Sequence, residues 1–442
     1  MSDLHWVGAL PSGWRLLRLR HVASITNSNV DKKSYDDGQP VRLCNYNDVY
    51  KNEFITDRME FMEATATSNE ILRFTLRPSD VVITKDSESW NDIAVAACVA
   101  ELLRDVVCGY HLAVLRADAE LLQGRFLHRA IQATGVREQF WMAANGVTRF
   151  GLGQQGIKEA LLPIPPLATQ EAIADYLDEK TADLDALIEK KRKLLDLLAE
   201  ERTALINQVV TKGLDPSVPI KESGIPWIGE IPAHWEIGRL KVFLDFKTSG
   251  SRGWADYYTD DADSPIFIQS GNLGRHLNLD LTNIQHVNPP MGSEGERTLV
   301  KDNDVLVCIT GARTGAVAFV DVTLPVSAYI NQHVALLRPN PLIADPHFIA
   351  MALTSEVGAN HFQMAQYGGT KQGLGLDDVG NTLLPLPPLR EQQSISTYVD
   401  EGLCQARATQ LSICRQLDRL QEYRQALITA AVTGQLDIGA AA

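Results

Sequence analysis

Two copies of one short stretch decide how this chain is organised. The first copy is Leu161-Leu162-Pro163-Ile164-Pro165-Pro166-Leu167, and the second is Leu383-Leu384-Pro385-Leu386-Pro387-Pro388-Leu389. They lie 222 residues apart in a chain of 442 residues, close to half its length. A similar offset relates Trp6–Trp14 to Trp227–Trp235, and His111–Arg116 to His333–Arg338. Such self-similarity predicts an internal duplication, with two copies of one structural unit.

A long helix is predicted after each of these stretches. The Pro-Pro pair ends a strand and cannot sit inside a helix, and apolar residues then recur at alternating steps of four and three. Sustained over about 40 residues, this spacing predicts two helices, each roughly 60 Å long, that can pair as an antiparallel coiled coil. A long helix packed on a globular body is the alternative. The apolar positions are Ile173, Leu177, Leu184, Leu187, Leu194, Leu198 and Leu205 in the first copy, and Val399, Leu403, Ala406, Ile413, Leu417, Leu420 and Leu427 in the second.

The part of each copy that precedes the helix has the composition of a mixed domain. Val81–Thr84 and Val305–Thr310 are β-branched apolar runs, and Gly, Asn, Asp and Pro punctuate the segments around them. We therefore predict an α+β fold with two mixed α/β domains, separated by two long helices and related by a pseudo-twofold duplication. The predicted boundaries are 1–160 for the first domain, 161–215 for the first helical spacer, 216–382 for the second domain and 383–442 for the second spacer.

Composition narrows the class of protein. Hydrophobic residues make up 45% and charged residues 22% of the chain, and the longest apolar run, Ile93–Ala100, is far shorter than the roughly 20 residues that span a bilayer. Met1–Trp6 lacks a basic leader with an apolar continuation, and the six cysteines are scattered without metal-ligand spacing. These features predict a cytoplasmic protein with free thiols and no metal site.

The charge distribution bears on nucleic-acid binding. A formal net charge of −14 argues against a protein that coats nucleic acid non-specifically. Residues 216–382 are the most acidic part, with 11 Lys and Arg against 18 Asp and Glu. The few cations of that part are nevertheless concentrated in loops of Gly and small polar residues, such as Gly311-Ala312-Arg313-Thr314-Gly315.

These loops supply the candidate DNA contacts. Glycine lets the backbone approach a ligand closely, and Arg, Lys, Asn and Gln can read base edges through paired hydrogen bonds. For any single residue, an ordinary solvated loop is the alternative. The predicted contacts are Asn45, Asn47, Lys85, Ser89, Thr148 and Arg149 in the first domain, and Arg252, Trp254, Asn272, Arg275, Arg313, Thr314, Thr370 and Lys371 in the second.

Two other classes of function compete with DNA recognition. Asn288-Pro289-Pro290-Met291 is similar to the Asn-Pro-Pro-aromatic motif of adenine methyltransferases, but Met291 cannot supply the aromatic ring. A coiled-coil scaffold with protein-binding heads is the second alternative. The sequence contains no recognisable Ser-His-Asp order, Walker loop or paired-carboxylate nuclease core, so no catalytic residue is predicted.

The whole chain resembles the specificity subunit of type I restriction-modification systems. The residues that carry the resemblance are Trp227-Ile228-Gly229 with Ile231-Pro232 and Trp235, Ile309–Ala312 with Gly315, Asn331–Pro339, and Leu384–Leu389 with Glu391-Gln392. The first domain departs from this pattern, because Thr84–Ser89 lacks the glycines of Thr310–Gly315. That departure fits two domains that read different sequences.

The resemblance implies a non-catalytic subunit in which each recognition domain reads one half of a bipartite site in double-stranded DNA. It also implies that the helices dock two methyltransferase (modification) subunits, with restriction-translocase subunits as further partners and no membrane partner. S-adenosylmethionine, ATP and Mg would be bound by those partners, and no cofactor by this chain. The helical residues expected at the partner-binding segments are Leu184, Leu187, Leu194, Leu198, Ile413, Leu417 and Leu420.

Overall fold

The computed structural model describes residues 6–33, 38–274, 277–290, 292–321, 324–366 and 373–438. It divides into two compact units. Unit 1 comprises Met1–Arg192 and Ile413–Ala442, and unit 2 comprises Lys193–Ser412. We call the part of each unit outside the two long helices head 1 and head 2.

Head 1 is built from short strands and short helices. Its strands are β1 Arg15–Arg18, β2 Ala23–Asn27, β3 Gln39–Cys44, β4 Phe54–Ile55, β5 Met62–Ala66, β6 Val81–Thr84, β7 Asp86–Ser87, β8 Ala96–Val99, β9 Val106–Cys108, β10 Leu112–Ala117, β11 Ala144–Gly146, β12 Phe150–Leu152 and β13 Leu161–Ile164. Its helices are α1 Tyr46–Tyr50, α2 Ser68–Phe74, α3 Gly124–Gln132, α4 Thr134–Ala143 and α5 Gln154–Glu159, with a 3-10 turn at Leu19–His21. The long helix α6, Leu167–Lys212, follows.

Head 2 repeats this mixture. Its strands are β14 Ile220–Glu222, β15 Glu230–Pro232, β16 Glu236–Arg239, β17 Leu244–Ser249, β18 Tyr258–Thr259, β19 Ile266–Ile268, β20 Gln285–Val287, β21 Val305–Cys308, β22 Val317–Phe319, β23 Ala328–Ile330, β24 Val334–Pro339 and β25 Leu383–Leu386. Its helices are α7 Ser293–Thr298, α8 Pro346–Thr354, α9 Glu356–Ala365 and α10 Leu376–Gly380, with 3-10 turns at Leu240–Phe243, Trp254–Tyr257 and Ser270–Asn272. The second long helix, α11, is Leu389–Val432.

The two heads share one sheet topology. The strand order β2-β10-β6-β8 in head 1 matches β17-β24-β21-β22 in head 2, and all neighbours in both runs are antiparallel. A separate antiparallel pair, β1-β13 or β16-β25, joins the start of each head to the strand that precedes its long helix. The predicted α+β class with a long helix is confirmed, and the sequence repeat is also a repeat of topology.

The double proline acts as predicted at the start of each long helix. α6 and α11 begin at Leu167 and Leu389, directly after Pro165-Pro166 and Pro387-Pro388. The preceding residues form strands β13 and β25, so the first residues of each predicted spacer belong to a head.

One ion pair is repeated in the sheets of both heads. Arg116 Nη2 lies 2.7 Å from Asp80 Oδ2, and Arg338 Nη2 lies 2.7 Å from Asp304 Oδ2. Both carboxylates are buried. In each pair, the two oxygens of one carboxylate accept hydrogen bonds from two nitrogens of one guanidinium group, which is the strong bidentate geometry.

A charged network in unit 1 ties head 1 to both long helices. Arg129, on α3, is almost completely buried and donates to Asp178 of α6 at 2.6 Å and to Glu53 at 2.5 Å. Arg424 of α11 donates to the same Glu53 at 3.0 Å and to Asp185 at 2.9 Å. Burial raises the pKa of Glu53, but Arg129 and Arg424 outweigh it and bring that pKa down to about 2.

The buried face of α6 differs in one respect from the apolar positions predicted to face inward. Leu187 and Leu194 were expected to face inward, but they are 41% and 43% exposed, whereas Ile188 is 5% exposed. The inward positions shift because Thr181 is buried, where it donates to Leu177 O at 2.7 Å and accepts from Arg129. From Thr181, the three- and four-residue steps lead through Leu184 to Ile188.

Replacing Arg129 is expected to destabilise unit 1. Arg129→Met would leave Glu53 and Asp178 without their buried cation, and breaking a buried pair from one side costs about 3 kcal/mol. The free energy of unfolding from urea titration measures this cost. Arg125→Ala is the matched control, because Arg125 also binds Asp178 but is largely exposed, and should cost less than about 1 kcal/mol. Equal losses in both variants would contradict the buried network.

The depressed pKa of Glu53 predicts a loss of stability in acid. A carboxylate with a lowered folded-state pKa stabilises the fold above its unfolded pKa, and this contribution is lost as the pH falls through the folded pKa. The window therefore runs from pH 4.5 down to about pH 2. The unfolding free energy of Glu53→Gln should fall less steeply across this window than that of the unmutated protein. Parallel pH profiles would show that Glu53 does not titrate in this way.

Candidate nucleic-acid interface

A small antiparallel sheet brings two separate loops of head 1 together. β11 and β12 form a hairpin with residues 147–149 at its tip, and β12 pairs with β7, where Phe150 lies opposite Ser87. Leu152 N also donates to Lys85 O at 2.7 Å. Lys85 and Arg149, which are far apart in sequence, therefore lie on adjacent strands or turns of one sheet.

His111 joins these two loops through its ring. Its Nδ1 lies 2.9 Å from Asp86 Oδ2 and 3.5 Å from Arg149 Nη2. The ammonium group of Lys85 lies 4.6 Å from the ring centroid of Tyr110, which packs edge-on against His111. Both predicted cations are thus placed beside aromatic rings, and Asp86 is paired with the histidine.

Helix α1 forms the next part of the same surface. Its first and last residues, Tyr46 and Tyr50, stack with ring centroids 5.4 Å apart. Asn45 precedes the helix, where its backbone N–H donates to Asp48 at 2.7 Å and its amide donates to Leu43 O. Its side chain is therefore engaged locally, whereas Asn47 is exposed.

The loop after β7 completes the surface. Ser89 Oγ donates to Asn91 Oδ1 at 2.6 Å, and Tyr50 OH donates to Asp92 Oδ2 at 2.8 Å. Trp90 stands between these anchored residues and is 52% exposed.

We call the group Tyr46, Tyr50, Lys85, Trp90, Tyr110, His111 and Arg149 the head 1 face. The structure thus places all six predicted residues of this head on or directly beside one surface: Asn45, Asn47, Lys85, Ser89, Thr148 and Arg149. The prediction missed the aromatic members of this surface. Trp90 lies inside a loop rich in charged and small polar residues, and that position was the one available signal for it.

In head 2, two of the predicted loops come together through one arginine. Arg313 is exposed, and its Nη1 donates to Gly271 O at 2.7 Å. Thr314 closes its own turn by donating to Gly311 O at 2.6 Å. Arg252 is exposed on a tight turn in which Gly253 has a left-handed φ of 75°.

Two residues predicted as DNA contacts lie inside head 2 instead of on its surface. Trp254 is 3% exposed, because its ring stacks on Phe267 at 5.5 Å and packs edge-on against Tyr329. Asn272 is also buried: its amide donates to two backbone oxygens and its carbonyl accepts from Gln269 N. Both side chains hold the loops in place, so the prediction of base contact is wrong for them as folded. Arg275, Thr370 and Lys371 lie outside the described residues.

Asn288, the first residue of the alternative methyltransferase motif, has a structural task, and Met291 lies outside the described residues. Asn288 Oδ1 accepts from Ser264 Oγ at 3.1 Å, and Asn288 N donates to Tyr257 O at 2.9 Å. Within the described ranges, no cluster of three or more His, Cys, Asp and Glu side chains is arranged to hold a metal ion. No helix in this described part is both long and apolar enough to cross a membrane.

Comparison with known proteins finds similarity to one group of proteins. Residues 293–401 match the family described as "Type I restriction modification DNA specificity domain". The chain is 24% identical over 444 residues to the type I restriction enzyme EcoBI specificity subunit of Escherichia coli, covering 98% of this chain and 89% of that protein. It is 22% identical over 395 residues to the putative type I restriction enzyme MjaX specificity subunit of Methanocaldococcus jannaschii, covering 88% and 87%.

A solved structure shows the same fold. It is described as "Structural basis underlying complex assembly and conformational transition of the type I R-M system", and one of its chains superposes with a TM-score of 0.64 at 21% identity. The match covers 97% of this chain and 100% of that chain. Both of these sequence relatives are named as specificity subunits of type I restriction enzymes. The chain is accordingly similar over most of its length to type I restriction-modification specificity subunits, and residues 293–401 match the family model of their DNA specificity domain.

Proposed function

We propose that each head of this specificity subunit reads one half of a bipartite site in double-stranded DNA. The head 1 face carries this proposal, because it gathers Lys85 and Arg149 from distant parts of the sequence onto one exposed surface. Duplication of the head supplies a second reader, and its different loops give it a different half-site.

The local charges of the head 1 face suit a polyanion although the chain as a whole is acidic. Asp86 is paired with His111, and Asp92 accepts a hydrogen bond from Tyr50. Two carboxylates of this surface, Asp86 and Asp92, are therefore engaged, while Glu88 of the same loop is exposed. An exposed arginine beside them can reach a guanine edge with its two parallel donors, while a lysine contacts phosphates as a point charge.

Head 2 would use exposed arginines from separate loops. Arg252 and Arg313 are both exposed, and Arg313 also fixes the loop at Gly271. Thr370 and Lys371 stay predicted contacts, since they align with Thr148 and Arg149 of head 1 at the same 222-residue offset.

The long helices are proposed to pair as an antiparallel coiled coil between the heads and to dock two methyltransferase subunits. Within unit 1, Ile173 and Leu177 of α6 share a core with Leu427 and Ile428 of α11. Within unit 2, Ile206 and Val209 of α6 share a core with Ile395 and Val399 of α11. Both sets of contacts support the antiparallel pairing.

The revised inward face of α6 changes which predicted residues could meet a partner. Leu187 of unit 1 and Leu194 of unit 2 are outward and exposed, so they are available to a methyltransferase subunit. Leu184, Leu198, Ile413, Leu417 and Leu420 are partly or fully buried and would contribute to helix pairing instead. S-adenosylmethionine, ATP and Mg, together with methyl transfer and restriction, would belong to the partner subunits.

Methylome mapping tests this function directly. Cells that express the chain together with its methyltransferase subunit should contain a methylated bipartite motif that is absent from cells with the methyltransferase subunit alone. Assembly of the two proteins is checked by co-purification. An assembled complex that adds no methylation would contradict DNA recognition and would favour a protein scaffold.

Replacing Arg149 is expected to weaken and relax recognition of one half-site. Loss of a bidentate base contact costs about 1–3 kcal/mol, so Arg149→Ala should bind the motif about 10-fold more weakly and tolerate more bases at one position. Arg104→Ala is the matched control, since Arg104 is an exposed arginine of head 1 that pairs with Asp57 away from the head 1 face. Fluorescence anisotropy with labelled duplexes measures both variants.

The same experiment separates reading from assembly. Arg149→Ala should still co-purify with the methyltransferase subunit. If this variant lost assembly while keeping its affinity for DNA, the assignment of reading to the loops and docking to the helices would be wrong.

A further inference from the structure

We infer that head 1 carries a stacking subsite for a DNA base that has left the duplex stack, with the indole of Trp90 as its stacking surface. The inference rests on the proposed DNA-recognition function and specifies how one of the two heads engages its half-site.

The first observation is that, among the residues that the structure describes, at least one face of the Trp90 ring has no aromatic partner. Its ring neighbour is Trp141, with centroids 6.1 Å apart and planes at 89°. An edge-to-face pair occupies at most one face of either ring. With 52% of its surface exposed, Trp90 presents a large flat apolar area to solvent.

The second observation is that the Trp90 ring is held in place. Its loop is closed by hydrogen bonds from Ser89 N to Ser87 Oγ at 3.2 Å and from Asp92 N to Ser89 O at 3.2 Å. Tyr50 anchors the far side of the loop through Asp92. Behind Trp90, the guanidinium group of Arg137 lies 4.9 Å from the ring centroid of Trp141. A ring that is already ordered loses little conformational entropy when it binds.

The third observation is the contrast with the equivalent hairpin of head 2. The β6–β8 connection of head 1 spans residues 85–95, whereas the topologically equivalent β21–β22 connection spans 309–316 and contains no aromatic residue. The exposed Trp90 thus sits in a longer connection that head 2 lacks. By contrast, Trp254 of head 2 is buried against Phe267, so it offers no comparable exposed indole ring.

The chemistry of the surroundings identifies a nucleobase as the ligand. Lys85 and Arg149 on the head 1 face can hold phosphates, and Val147, in the same hairpin tip as Arg149, is an exposed apolar side chain. Flat aromatic rings beside cations are how proteins bind unpaired bases. Inside an intact duplex, each base face is covered by its neighbours, so Trp90 reaches a base only where a step opens or a base is extruded.

The test uses the assembled complex with the methyltransferase subunit and a duplex that carries the motif found by methylome mapping. A single mismatch is moved through both half-sites and their flanks, because a mismatched base is already easier to unstack. At one position, the mismatch should tighten binding of the unmutated complex about 10-fold. Trp90→Ala should abolish that gain and bind the matched duplex about 10-fold more weakly, and Trp90→Phe should retain most of both.

Leu72→Ala is the control, because Leu72 is another highly exposed apolar residue of head 1 and lies on α2. It should behave like the unmutated complex. Thermal unfolding checks that Trp90→Ala remains folded. If it does not, the mismatch scan of the unmutated and Trp90→Phe complexes decides, since the absence of any tightening position overturns the subsite.

Two further results would also be decisive. Equal mismatch responses in the unmutated and Trp90→Ala complexes would overturn the stacking subsite while leaving DNA recognition intact. An unmutated complex that does not prefer the motif to a scrambled duplex would overturn the proposed function itself, and the subsite with it.

Discussion

A buried glutamine side chain fastens the start of each long helix to its head. Gln170 Nε2 donates to Leu121 O and to Pro165 O, both at 2.9 Å, while its Oε1 accepts from Gln123 N at 2.8 Å. Gln392 repeats this pattern with Pro387 O and Asp345 N. A buried amide must satisfy its donors and acceptor or lose about 1–3 kcal/mol for each, so the helix and the head are held in one orientation. The position of every loop that could read DNA depends on this orientation.

The two units differ in what they add to this shared junction. In unit 1, Arg424 pairs with Asp185 and with Glu53 of the head. At the 222-residue offset, Arg202 of unit 2 corresponds to Arg424, and Arg407 corresponds to Asp185, so that two cations replace the ion pair. Burial lowers the pKa of Arg202, and the charge of Arg407 lowers it further. The common amide thus sets the geometry of both junctions, while the charge network that also reaches head 1 belongs to unit 1. The duplicated halves have kept their topology and diverged in their electrostatics.

The parts of the fold that were predictable from sequence are those set by local chemistry. Proline pairs end strands wherever they occur, and a long apolar period requires a helix, so α6 and α11 could be predicted with their starting points. The inward face of α6 could not, because the burial of Thr181 depends on Arg129, which arrives from α3. The prediction of Trp254 and Asn272 as DNA contacts was wrong for a related reason. The sequence of a Gly-rich loop predicts exposure, and only tertiary packing determines which of its side chains turn inward. Lys85 and Arg149 of head 1 come together because β12 pairs with β7, a pairing that no sequence period reveals.

An acidic protein that reads DNA must separate specificity from affinity. Contacts to phosphates supply much of the affinity and carry no sequence information, whereas contacts to bases supply the information. With a net charge of −14, this chain is poorly equipped for the first task. The head 1 face is suited to the second, because His111 and Tyr50 engage Asp86 and Asp92, while the half-buried Lys85, the exposed Arg149 and the exposed Trp90 lie beside them. Under the proposed function, affinity would come from partner subunits that close around the duplex, so that firm binding would require the assembled complex and a few loops of this chain would choose the sequence.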